Sequence, residues 1–114
     1  MKQALILRRD PKMRRGKEIV QGAHASMKAL LENIEHPDVK AWLDGPFFKI
    51  ALTGDSAEEM AALEAAAREA GVITASIVDD GRTEFGGIPT LTALAIGPAE
   101  NARVDAITGH LKLR

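Results

Sequence analysis

Asp10-Pro11-Lys12-Met13-Arg14-Arg15-Gly16-Lys17-Glu18-Ile19-Val20-Gln21-Gly22-Ala23-His24-Ala25 begins as a loop and ends as a helix. Pro11 closes the apolar run that precedes it, and Gly16 stands where the backbone changes direction. From Lys17 the spacing becomes helical. Val20, Ala23, Met27, Leu30, Leu31 and Ile34 recur at three- and four-residue steps and predict one apolar stripe along a helix over 17–33. Lys17, Gln21, His24 and Lys28 form a second, polar stripe within a narrow arc to one side of it. An amine, an amide and an imidazole thus share one helix edge near an electropositive N-terminus. Two readings are open: a solvated edge beside a basic loop, or a site for an anionic or carbonyl-bearing ligand.

Upstream, Ala4 to Leu7 is a continuous apolar run and reads as a short strand buried on both faces. Downstream, His36-Pro37 starts a second short helix to about Leu43, and Gly45-Pro46 breaks it. Phe47 to Thr53 is a second strand. Ser56 with Glu59 three residues on is a capping box; an alanine-rich helix follows, which Gly71 closes. Val72 to Val78 is a third strand and leaves through the turn Asp79-Asp80-Gly81. Thr90 to Ile96 is a fourth. Gly97-Pro98 reads as the start of a last helix reaching about Thr108, and His110 to Leu113 as a short extended piece. Strands joined by helices imply parallel pairs, and the third and fourth strands, with no helix between them, imply an antiparallel pair. The expected fold class is α/β: a three-layer α/β/α sandwich with a mixed four- to five-stranded sheet, all within one domain, 1–114.

Composition narrows the function. The chain has 114 residues and no cysteine, which excludes disulfides, thiolate nucleophiles and Cys-ligated zinc. His24, His36 and His110 show no metal spacing, so no metal is expected. No apolar run is long enough to span a bilayer, and the first residues do not form a signal peptide; a cytoplasmic protein is expected. The net charge of −1 hides an asymmetry. Residues 1–17 carry seven Lys/Arg against one Asp, and the remainder eight against fifteen Asp/Glu. A basic cluster on an acidic body suits a protein that docks a polyanion at one place. With only Trp42, Phe47, Phe48 and Phe85 as aromatics, contact with nucleic acid is expected to be mostly to phosphate.

In open α/β sheets the ligand crevice lies beyond the carboxyl ends of the parallel strands. The first strand ends at the basic loop and Lys17; the third ends at Asp79, Arg82 and Thr83. If the fourth runs antiparallel to the third, Thr90 and Thr92 start at that same edge. The topology therefore gathers Lys17, Gln21, Asp79, Thr83 and Thr90. Each also has a plain structural use: Asp79-Asp80-Gly81 is a good turn, Thr92 an ordinary strand residue, and His24 a hydrogen-bonding residue at a packed helix edge. Gly16-Lys17 lacks the rest of a phosphate-binding P-loop, and there is no Gly-x-Ser-x-Gly elbow.

With these residues in place, the chain resembles the archaeal and eukaryotic type of peptidyl-tRNA hydrolase, the peptidyl-tRNA hydrolase 2 family. The resemblance is nearly full length. It rests on Arg8, Asp10, Lys12 and Met13 leading into Gly16, Lys17, Gln21, His24 and Ala25. It continues through Trp42, Lys49-Ile50, and Ile77, Asp79, Gly81-Arg82-Thr83. It ends with Thr90, Thr92, Ile96-Gly97-Pro98 and then Ile107-Thr108-Gly109, Leu111-Lys112-Leu113. What it implies is an α/β/α fold, usually homodimeric, with no metal or cofactor, that hydrolyses the ester between a peptide and the 3′-terminal ribose of tRNA and so recycles tRNA. The family's functional positions fall on Lys17, Gln21, Asp79, Thr83 and Thr90, with His24 nearby. Arg8, Lys12, Arg14, Arg15, Arg82 and Lys112 are the candidates for the tRNA backbone.

Those residue types suit the chemistry. Asp79 would orient or deprotonate a water, directly or through Thr83 or Thr90. Lys17 and Gln21 would stabilise the oxyanion or hold the terminal nucleotide. Burial would raise the pKa of Asp79 and Lys17 would lower it, and sequence leaves that contest open. The family usually has a small apolar residue where Asp80 stands, often a Cys or other small residue at Gly22, and a more polar loop where Phe85-Gly86-Gly87-Ile88-Pro89 stands. The alternatives are a non-catalytic RNA-, nucleotide- or protein-binding module on the same scaffold, and a hydrolase of another activated ester or amide.

Overall fold

A computed structural model of the chain describes residues 1–81 and 85–114. The elements in order are β1 (Lys2–Arg8), α1 (Arg15–Leu31), α2 (Pro37–Asp44), β2 (Phe48–Gly54), α3 (Ala57–Glu69), β3 (Thr74–Asp79), β4 (Thr90–Ala99) and α4 (Asn101–Thr108). The sheet order is β2-β1-β4-β3. β1 and β2 are parallel, and β4 runs antiparallel to both β1 and β3. So β1, β2 and β3 point the same way, and β4 starts at the edge where they end. This is the expected mixed α/β sheet.

Alternation along the strands divides the core in two. On one face Ala4, Ile6, Leu52, Leu94 and Ile96 pack against Met60, Leu63 and Ala67 of α3 and Val104 of α4. On the other Leu7, Ala75, Ala93 and Ala95 pack against Ala25 and Ala29 of α1 and Val39 of α2. Local signals behave as read. Ser56 caps α3 by accepting from Glu59 N, while the Glu59 carboxylate accepts from Asp55 N. His36 Nδ1 accepts from Asp38 N at the start of α2, and Gly71 follows α3 at φ +72°.

Two expectations are corrected. The last helix does not begin at Gly97-Pro98. That dipeptide stays in β4, and α4 begins at Asn101. Gly97 lies at φ +104°, and a Cβ there would stand 2.6 Å from Lys2 O. The glycine lets β1 and β4 approach at a shift in their register. The Pro-first helix signal loses to this pairing. The C-terminal piece is short and extended, as expected, and adds no full strand to the four of the sheet. It meets β2 through an isolated bridge between Leu52 and Leu113, with Thr53 N donating to Lys112 O.

The second correction concerns α1, whose predicted apolar stripe is largely solvent-exposed. Val20, Met27, Leu31 and the following Ile34 are about half exposed or more, while Gln21, Gly22, Ala25 and Ala29 face the sheet. Small residues let the helix axis approach closely: a Cβ on Gly22 would already be 3.7 Å from Leu7 Cδ1. Periodicity located an apolar face but not the docked one, because Gly and Ala carry little hydropathy and much of the closeness.

Candidate active site

α1 meets β3 along the polar stripe. Lys17 Nζ donates to Asp79 Oδ2 at 2.5 Å, Gln21 Nε2 donates to the same oxygen at 3.3 Å, and about two turns further on Lys28 Nζ donates to Ser76 O at 2.9 Å. Gln21 is buried, and the Lys17 and Asp79 side chains keep only 15% and 11% of their exposure. Both side chains are thus mostly covered, and their interaction is screened less than that of a fully exposed ion pair.

Asp79 is held from the other side by its own turn. Its Oδ1 accepts from Gly81 N at 2.7 Å. This is an Asx turn, and it needs glycine: Gly81 has φ +82°, and a Cβ would lie 2.5 Å from both the N and O of Ile88. Gly87 N donates to Gly81 O, so the turn is clamped under the 85–89 loop. Phe85 of that loop lies over Lys17, with Nζ 5.7 Å from the ring centroid.

The contest over Asp79 is decided in favour of its partners. The hydrogen bond from Lys17, then that from Gly81 N, hold its carboxyl below the usual carboxylate range, against the upward push of burial. It is ionised at neutral pH.

Gln21 is oriented by a residue read from sequence as structural. Thr92 Oγ1 donates to Gln21 Oε1 at 2.9 Å, which turns the amide nitrogen toward Asp79. Thr92 can do this because the β3/β4 register shifts between Ile77 and Val78, placing a bulge in β4. Thr90 pairs with Asp79 in the ladder, but its hydroxyl donates to Ile88 O at 2.9 Å. His24 is exposed and lines a crevice of about 270 Å3 together with Gln21, Asp79 and Asp80. Arg82 and Thr83 lie outside the described residues.

The basic candidates divide. Arg8 turns inward, with Nε on Asp10 O and one terminal nitrogen on Leu91 O. Lys12, Arg14 and Arg15 are exposed and line a groove of about 800 Å3 between α1 and the β1–β2 edge, with Met13 buried at its floor. Arg114 joins this groove and is clamped by Glu18 through two hydrogen bonds. Lys112 lines a neighbouring cavity that also includes Arg9 and Arg114. Two links escaped sequence reading, Thr92 to Gln21 and Glu18 to Arg114. Only a Thr at the crevice edge hinted at the first, and nothing local hinted at the second.

An ionised, mostly covered Asp holds a Lys and an amide at one edge of α1, and Lys12, Arg14 and Arg15 line a groove along the same helix. A family model described as "Peptidyl-tRNA hydrolase PTH2" matches residues 1–114. The chain belongs to the peptidyl-tRNA hydrolase 2 family. Its activity is that of a peptidyl-tRNA hydrolase. Similar curated proteins include the peptidyl-tRNA hydrolase of Thermococcus onnurineus, 41% identical over 98% of this chain and 96% of that one. That of Halobacterium salinarum is 42% identical over 99% of each chain. The probable peptidyl-tRNA hydrolase 2 of Dictyostelium discoideum is 39% identical over 98% of this chain and 54% of its own length. Among the described residues of this family member, no helix is long and apolar enough to cross a membrane.

Proposed function

We propose that the Lys17–Gln21–Asp79 cluster is where this hydrolase cleaves peptidyl-tRNA, within one domain acting in the cytoplasm without metal or cofactor. The carrying observation is the convergence of Lys17 Nζ and Gln21 Nε2 on Asp79 Oδ2, at the edge where β1 and β3 end. The Asp79 carboxylate accepts three hydrogen bonds and keeps a lone pair for a water. A carboxylate of low pKa is a poor free base. Its work is to orient the water and to take the proton as the water oxygen bonds to the ester carbon. The proton then passes to the departing 3′-oxygen of the ribose. The Lys17 ammonium, held on Asp79, brings positive charge to the carbonyl oxygen as it becomes an oxyanion, and Gln21 adds a neutral donor. Thr83 is the further candidate for handling the water, and Thr90 fixes the loop beside Asp79 through Ile88 O. His24 stands at the rim.

Lys12, Arg14 and Arg15 bind the tRNA backbone with Lys112 and Arg82, and Arg8 braces the loop that carries them. That contact weakens steeply with salt. The same reading takes the chain as a homodimer. The uncovered apolar face of α1 supports this, because exposed apolar area of that kind marks an association surface.

The test is release of peptide from an N-blocked aminoacyl-tRNA. Lys17→Ala and Asp79→Asn are each expected to lower kcat/KM by about 100-fold or more with the fold intact. If the wild type binds tRNA and releases nothing above background, the crevice is a binding module, the reading that the extra carboxylate of Asp80 favours.

A further inference from the structure

We propose that the cavity of about 560 Å3 beside the Lys17–Asp79 pair receives the side chain of the peptide's C-terminal residue, the one esterified to tRNA, and prefers it apolar. The proposal rests on the placing of the reaction at Lys17 and Asp79.

The cavity adjoins that pair through two of its own walls. Phe85 reaches over Lys17, and Thr90 is the ladder partner of Asp79. Pro11, Phe85, Ile88, Pro89 and Leu91 make its surface mostly apolar. Arg8 is its one charged residue among those described, and two of its nitrogens already donate to Asp10 O and Leu91 O. The Thr90 hydroxyl is likewise spent on Ile88 O.

Peptidyl-tRNA offers two groups next to its ester: a polar, anionic nucleotide and the side chain of the acyl residue. The nucleotide would lose water against these apolar walls and gain only the remaining N–H groups of Arg8. It also has a better place, because Lys12, Arg14 and Arg15 line a different cavity, beside α1. An apolar side chain loses nothing by entering. Ile88 stands at the mouth, 66% exposed, with uncovered area available to an incoming residue. The loop that supplies Phe85 and Ile88 is held in shape by backbone bonds from Gly87 N to Gly81 O and from Ile88 N to Phe85 O. The wall is thus built before substrate arrives.

The experiment charges one tRNA body with either N-acetylleucine or N-acetylglycine and measures kcat/KM for wild type, Ile88→Asn and Ile88→Leu. The leucyl-to-glycyl ratio is expected to exceed one by roughly tenfold in the wild type, the value of partly burying one aliphatic side chain. Ile88→Asn should lower the ratio about threefold or more, and Ile88→Leu should keep it. Intrinsic ester reactivity cancels between variants. A ratio equal in wild type and Ile88→Asn overturns the proposal. So does an equal loss on both substrates in Ile88→Asn, which would give the cavity to the tRNA end. In either case a loss of turnover in Lys17→Ala leaves the placing of the reaction standing. No cleavage of either substrate by the wild type removes both.

Discussion

Thr92 aims Gln21 from a fully buried position. Replacing it with Val would leave Gln21 Oε1 buried with its donor gone and the amide free to turn. One such hydrogen bond is worth about 1 kcal/mol, so kcat is expected to fall roughly 5- to 10-fold with KM little changed, and Thr92→Ser to restore it. Steady-state kinetics on the three proteins check this. Asp79 carries a pH signature. Its folded pKa lies below the ordinary value of 3.8. Its stabilising effect is therefore complete above the unfolded value and is lost as pH falls through the lower, folded one. Asp79→Asn should be less stable than wild type to urea at pH 7, and the gap should narrow once pH drops below about 3.8. At this scale the sequence was informative about identity and poor about linkage. Lys17, Gln21 and Asp79 were legible because topology brings strand ends together. Thr92 was not, because a bulge decides which way a strand residue points.

Elements followed local chemistry wherever their ends were set by their own residues. Ser56 and Glu59, His36-Pro37, and Gly71 each mark a boundary that the backbone respects. Gly97-Pro98 is the exception. A Pro one residue after Gly resembles a helix start, yet both residues are held in β4 by β1 alongside. Gly97→Ala should cost roughly 2–4 kcal/mol, combining a left-handed φ with a Cβ 2.6 Å from Lys2 O, and urea titration measures it. Pro98 moves to β4 for a tertiary reason: the pairing partner lies almost a hundred residues away in sequence.

For the molecule as a whole, α1 divides its surface among three tasks. Small residues dock it on the sheet, the Lys17–Lys28 edge runs along β3, and Val20, Met27 and Leu31 face solvent. If that last face joins two copies, Leu31→Glu should shift sedimentation from dimer to monomer at micromolar concentration while leaving the circular dichroism unchanged. An unchanged dimer would put the interface elsewhere. Strand and helix order, the antiparallel turn from β3 to β4, the charge asymmetry and the family resemblance were all present in the linear chain. They follow from hydropathy period, turn chemistry and residue identity, which are local quantities. Which face of α1 is buried, where β4 ends, how Thr92 reaches Gln21 and whether Lys17 or burial governs Asp79 needed the assembled fold. Each depends on a close approach between distant segments, and the strength of packing and charge contacts is set by that distance.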